Sequence, residues 1–270
     1  MKKLLTLWAL LFALLLASCD DNDVAVVEYP TEEVYVSQMT ETAGGVSTTY
    51  TYVYEGNKIT SVTDTQGGER VYRYVNDLLT REDIYLNDIL TEYTVFGYKA
   101  NKKLAQATHI ISNGDGTWTG IRMAFTYNTD DTLTTTLYQG NQNGQYDFIA
   151  AGIVTYTDGN ITGYSQTPED EDDTDEIVPN PVVTVLAYNS EKAPFKNVFG
   201  YDALCLAGLE GGVNVLASSI TTVIVPATEE GEEDEEIVTA VNYTYQYNEN
   251  GYPTQQTSDN GITRMYTYVP

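Results

Sequence analysis

His109 is the only histidine in the 270 residues, and it sits in a strand-like run, Thr108-His109-Ile110. Nucleophilic triads and most zinc centres need a histidine with partners at fixed geometry, so His109 is expected to be structural. The chain has no His-x-x-x-His pair, Gly-x-Ser-x-Gly elbow or dinucleotide fingerprint, and the glycines from Gly208 to Gly212 lack the lysine of a phosphate loop. Carboxylates are plentiful. Glu169 to Glu176 and Glu229 to Glu236 each hold seven acids in eight positions. Calcium wants six to eight oxygens at defined spacing, whereas these runs are near-homopolymers and read as solvated loops. Asn113-Gly114-Asp115-Gly116 has the composition of a calcium loop, but between two strand-like runs the same residues are expected to form a turn. Two carboxylates about 5–9.5 Å apart suffice for glycoside cleavage, and nothing in the sequence selects such a pair. The expectation is therefore no catalytic residue, no metal site and no cofactor.

Cysteine chemistry is confined to two positions. Lys2 and Lys3 precede an apolar run from Leu4 to Ala17, too short to span a bilayer, for which about 20 residues are needed. The run suits the core of a signal peptide. It closes on Leu16, Ala17 and Ser18, small enough at the last two positions for a peptidase to grip the backbone, and then on Cys19, whose thiol can accept a diacylglycerol. Residues 1–18 are thus expected to be removed and Cys19 lipidated, leaving a membrane contact through that lipid. Asp20, Asp21 and Asp23 follow within residues 19–27, an acidic tether. With Cys19 consumed, Cys205 has no partner for a disulfide, and its setting between Leu204 and Leu206 reads as a small buried hydrophobe.

Charge removes further classes of partner. Two of the 13 basic side chains leave with the signal peptide, so 11 remain against 39 acidic ones, a net charge of −28. Such a surface repels nucleic-acid phosphates and anionic headgroups.

The elements come from a repeat. Among 23 tyrosines, pairs two residues apart recur ahead of turns: Tyr52/Tyr54, Tyr72/Tyr74, Phe96/Tyr98, Phe125/Tyr127, Val154/Tyr156, Leu186/Tyr188, Tyr245/Tyr247 and Tyr266/Tyr268. Residues at this spacing share one face of a strand. Gly, Asn and Asp then supply turns, as at Gly56-Asn57, Asn76-Asp77 and Asn250-Gly251, and the next strand opens on Ile59-Thr60, Leu79-Thr80, Leu133-Thr134, Ile161-Thr162 or Pro253-Thr254. Leu104-Ala105 keeps only the apolar half. A fixed order at a period of about 20 to 32 residues makes one β-hairpin the repeating unit. Residues 28–270 are predicted to form a single all-β domain, a strongly curved or barrel-like antiparallel up-and-down meander of about 14–16 strands. Phe195 to Leu209 lacks alternation and is rich in Leu and Ala, which predicts a short helix plugging one end. Turns alternate between the ends of a meander, so both acidic runs are expected at the end opposite the Tyr-type turns.

The lipidation segment, the hairpins, Ala193-Pro194-Phe195-Lys196-Asn197-Val198 and the closing Tyr245-Gln246-Tyr247-Asn248-Glu249-Asn250-Gly251-Tyr252-Pro253-Thr254 resemble Bacteroidetes lipoproteins that carry a domain of unknown function with a porin-like fold. The acidic stretch after Cys19 is similar to the export tag of surface-exposed lipoproteins of that phylum. The hairpin unit is loosely similar to tyrosine-aspartate repeats, although Glu55, Val75, Asn128 and Asn248 stand where aspartate would follow the second tyrosine. The resemblance implies the fold and an outer-membrane, cell-surface address, with the periplasmic face as the alternative; it implies no activity.

The function read from these features is a non-catalytic envelope lipoprotein, structural or binding, with a glycan, a peptide or an envelope protein as partner. A carrier of a small apolar ligand inside the curled sheet is the alternative, and a two-carboxylate carbohydrate-active enzyme the third reading. Lys58 to Thr65 alternates with only modest hydrophobicity, so the barrel is not expected to span the membrane itself.

Overall fold

The computed structural model describes residues 34–168, 182–225 and 235–269. Among these residues sixteen strands follow one another, each beside the next in sequence. The first eight are β1 (Tyr35–Ala43), β2 (Val46–Glu55), β3 (Lys58–Asp64), β4 (Gly68–Val75), β5 (Leu78–Leu86), β6 (Ile89–Tyr98), β7 (Leu104–Ser112) and β8 (Trp118–Tyr127). They continue with β9 (Leu133–Asn141), β10 (Gly144–Thr157), β11 (Asn160–Pro168), β12 (Val182–Lys192), β13 (Asn214–Val225), β14 (Glu235–Tyr247), β15 (Pro253–Ser258) and β16 (Thr263–Val269). Each pairs antiparallel with its neighbour, and β16 pairs back onto β1 from Tyr35↔Val269 to Thr42↔Thr263, so the sheet closes into a barrel. Closure gives every described strand a partner on both sides, so none of them is an edge that could template aggregation.

The repeat has a structural cause at five of its hairpins. Register shifts by one residue just before the second aromatic position, at Val53/Tyr54, Arg73/Tyr74, Gly97/Tyr98, Thr155/Tyr156 and Gln246/Tyr247. The residue left unpaired in the opposite strand is Thr60, Thr80, Ala105, Thr162 or Thr254. A bulge of this kind frees backbone groups and sharpens the local twist. Threonine fills the gap: the hydroxyls of Thr60, Thr80 and Thr254 donate to the carbonyls of Val53, Arg73 and Gln246 at 3.1–3.2 Å. The tyrosines serve the same end. Tyr98 donates to the Leu79 carbonyl at 2.7 Å, Tyr268 to that of Pro253 at 2.7 Å, and Tyr54 to that of Val36 at 2.8 Å. The second ring is therefore tyrosine where phenylalanine would fill the same space. Tyr98→Phe is expected to lower unfolding stability by about 0.5–1.5 kcal/mol, the net worth of one such bond, measured by urea denaturation.

The paired rings point inward onto a plug. Between β12 and β13 the chain leaves the wall and forms α1 (Tyr201–Gly208), flanked by turns. Ala203, Cys205, Leu206 and Leu209 from this segment pack against Leu79, Phe96, Leu104, Phe125, Leu133, Val154, Ile161, Leu186 and Leu216 from successive strands, all buried. The segment is pinned around the rim. The Phe199 amide donates to Asn57 at 2.8 Å and the Ile161 amide to Gly211 at 3.1 Å. Asn197 Nδ2 donates to the Val34 carbonyl and to the Tyr252 hydroxyl, each at 2.9 Å. Gly200 has φ +80, and a Cβ there would lie 2.9 Å from Leu79 Cβ, so only glycine lets the helix start so close to the wall.

The expected helix near 195–209 is thus present, shortened to eight residues, because Pro194 and the left-handed Gly200 keep its first part in turns. The described strand ends that flank the two acidic runs, Pro168 and Val182 for one, Val225 and Glu235 for the other, lie at the rim opposite the plug. The runs themselves lie outside the described residues, apart from Glu235 and Glu236 at the start of β14. Val34 and Val269 both lie at the plugged rim, where the barrel begins and ends.

Candidate lumenal site

Inside the barrel, strand positions in phase with the inward tyrosines carry charges. Arg70 lies two residues before Tyr72, and its Nη1 is 3.2 Å from Glu82 Oε1, on the neighbouring strand opposite Tyr72. Arg264 lies two residues before Tyr266, and its Nε is 2.7 Å from Glu41 Oε2. His109 Nε2 is 3.2 Å from Glu92 Oε2, while its Nδ1 is 3.1 Å from the Thr94 hydroxyl. Above the plug the lumen thus carries two Arg–Glu ion pairs and, at His109, a polar contact between a ring, a carboxylate and a hydroxyl.

Where this lining meets the plug there is a cavity of about 250 Å³. The β12–β13 segment forms its floor through Ala193, Pro194, Phe195, Tyr201, Glu210, Gly211 and Gly212. Met39, Tyr188, Leu216, Tyr245, Gln256, Arg264 and Tyr266 line its walls. The polar wall is a relay. Arg264 Nη1 donates to Gln256 Oε1 at 3.4 Å, Tyr266 donates to the same oxygen at 3.1 Å, Gln256 Nε2 donates to the Tyr245 hydroxyl at 3.0 Å, and Tyr245 donates to the Leu216 carbonyl at 2.6 Å. A fixed polar edge beside aromatic rings is how concave sites orient small ligands. A hollow of about 470 Å³ at Glu55, Gly56, Lys58, Thr60, Tyr72 and Tyr74 is larger. It lies at the plugged rim, and Lys58 there is already tied to Asp77 at 2.6 Å.

Burial sets the protonation of the aromatic lining. Desolvation raises the hydroxyls of Tyr188, Tyr201, Tyr245 and Tyr266, the last to about 12. The same cause raises the Cys205 thiol to about 12. A thiol so hard to ionise is a poor nucleophile, and Cys205 is the buried hydrophobe its sequence setting suggests.

The outer wall carries a different cluster. Asp83, with its side chain 1% exposed, lies between Arg81 Nε at 2.6 Å and Arg73 Nη2 at 2.9 Å; the second contact is an ion pair without hydrogen-bond geometry. The Arg81 guanidinium stacks 4.0 Å over Tyr93, and that of Arg122 stacks 4.4 Å over Tyr138.

Among the residues singled out in the sequence, His109 reaches the lumen but not the cavity. Asn113 to Gly116 form a turn in which Asp115 Oδ1 accepts from the Thr117 amide and hydroxyl. No group of three or more His, Cys, Asp or Glu gathers to hold a metal among the described residues. Leu16, Ala17, Ser18, Cys19, Asp20, Asp21 and Asp23 lie outside the described residues. Sequence reasoning passed over Arg264, Glu41, Gln256 and Glu210. For Arg264 and Glu41 a signal existed, since both are in phase with inward-facing residues of their strands.

A sixteen-stranded closed barrel with an inward plug defines the class by architecture. No family model matches the sequence, and no curated protein does. Among solved structures the chain is similar to a porin-like protein from Bacteroides vulgatus ATCC 8482, with TM-score 0.55 and 12% identity over 88% of this chain and 99% of that one. A porin-like protein from Bacteroides uniformis ATCC 8492 aligns over 89% of this chain and 100% of that one, with TM-score 0.41 and 14% identity. The first likeness establishes a shared fold.

Proposed function

We propose that this chain is a non-catalytic envelope lipoprotein, hung from the outer membrane through Cys19, whose barrel is a receptacle closed at one end that holds a small ligand above the plug. The cavity over the plug carries this reading, because aromatic rings and a prearranged polar relay converge there. The tyrosine-lined, plug-closed pocket is also what a carrier of an apolar ligand needs, but such a guest would strip water from the Glu210 carboxylate and offer it no polar partner. An enzyme with two facing carboxylates has less support, since Glu41, Glu82 and Glu92 each face a basic side chain. A glycan array together with organic extraction of the purified protein tests the reading. Saturable binding or a co-purified small molecule supports it, and neither would refute it.

The cluster of Arg73, Asp83 and Arg81 on the outer wall supports a barrel beside the bilayer, since charges on a lipid-facing wall are costly. Cys19→Ala is expected to abolish fatty-acid labelling and to release the protein from the outer-membrane fraction. A form starting at Asp20 should stay folded without detergent. Folding only in micelles would show that the wall itself spans.

A further inference from the structure

Among the described residues that line the cavity, two carry a charge, Arg264 and Glu210, and one of them is left over. Arg264 is engaged by Glu41 at 2.7 Å and by Gln256, so its positive charge is already matched. Arg70 is matched by Glu82, and Glu92 lies against His109. Glu210 lines the cavity and, among the described residues, its carboxylate has neither an ion pair nor a hydrogen bond. It is close enough to act electrostatically on Arg264 and on Tyr243, which places its charge on the lumen side of the plug. Two further features deepen the negative potential. Glu210 follows directly on the C-terminal end of α1, where the peptide dipoles present their negative pole. The rings of Tyr188, Tyr201, Tyr245 and Tyr266 line the same space, and aromatic rings attract cations.

We propose that this cavity takes a small organic cation, an amine on an apolar or hydroxylated frame, with Glu210 as its counter-charge and the tyrosine rings as its walls. The inference rests on the receptacle reading and adds the ligand class. At about 250 Å³ the cavity lies below the range of drug-sized pockets, about 300–1,000 Å³, so the guest is compact, on the scale of one sugar ring. An anion finds Arg264 already occupied. A neutral guest leaves Glu210 unmatched.

The test is calorimetric titration of the mature protein with glucosamine, choline and glucose. Glucosamine and choline should bind saturably at neutral pH, with glucosamine about tenfold tighter than glucose or more, a difference of about 1.4 kcal/mol. Glu210→Gln should remove that preference while leaving the melting temperature unchanged, because the side chain is exposed to the lumen. Equal binding of glucose and glucosamine, with no effect of Glu210→Gln, overturns the cation inference and leaves the receptacle reading standing. Failure of both amines to bind at millimolar concentration also overturns it, while the receptacle reading still answers to the extraction and glycan screens.

Discussion

Leu79→Ala is expected to destabilise the protein by about 2–5 kcal/mol, the range for truncating a fully buried leucine, read as a fall in the urea midpoint at unchanged slope. Leu79 is 0% exposed and belongs to the cluster that joins wall to plug. Gly200 abuts its Cβ, while its carbonyl takes the Tyr98 hydroxyl. The space left by the methyl groups cannot be refilled from the helix side, because α1 is pinned through Asn57, Val34 and Tyr252. The loss should therefore fall in the upper part of the range. A loss below about 1 kcal/mol would mean that the plug is loosely seated and that the cavity above it lacks a fixed floor.

Raising the pH should produce the second large effect. Burial raises the hydroxyls of Tyr74, Tyr127 and Tyr266 to about 12, and those of Tyr52, Tyr54, Tyr156, Tyr245 and Tyr268 higher still, from an ordinary value of 10.0. In the unfolded chain these groups ionise near 10, whereas in the barrel they hold their protons. Between those values the native state binds more protons than the unfolded state, so stability falls as pH rises. The contribution is complete below pH 10.0 and is lost progressively towards about 12 and beyond. Because so many rings share one interior, tyrosinate absorbance should rise in one cooperative step coincident with loss of β-sheet circular dichroism. Gradual, independent titration of the rings with the sheet intact would contradict their packing against the plug.

Much of this architecture was legible because the repeat writes the same hairpin again and again. Tyr72, Tyr74, Asn76-Asp77 and Leu79-Thr80 announce a strand, a positive-φ turn and a return strand in order, and the non-alternating run after Pro194 announces the plug. Closure was not legible. The pairing of Tyr35 with Val269 joins residues at opposite ends of the chain, and no local pattern encodes it. The threonines of Ile59-Thr60, Leu79-Thr80 and Pro253-Thr254 were visible as a motif, but their task depends on a one-residue register shift that shows only once two strands are paired. The cavity was hidden for a related reason. Glu210, Gln256 and Arg264 come from different elements, and only the in-phase placement of Arg264 with Tyr266 hinted at its neighbours.

The position of Val34 gives the fold a mechanical side. The described chain enters β1 at the plugged rim, where the Val34 carbonyl is held by Asn197 of the plug segment. β1 is bonded along both flanks, to β2 and to β16. Ladder bonds of an antiparallel pair run perpendicular to the strands, so tension arriving through the preceding residues would pull along β1 and load both ladders in shear, many bonds at once, rather than peeling them singly. Closure gives β1, the first described strand, a neighbour on each side, so a pull from its N-terminal end would not unravel the barrel from that strand.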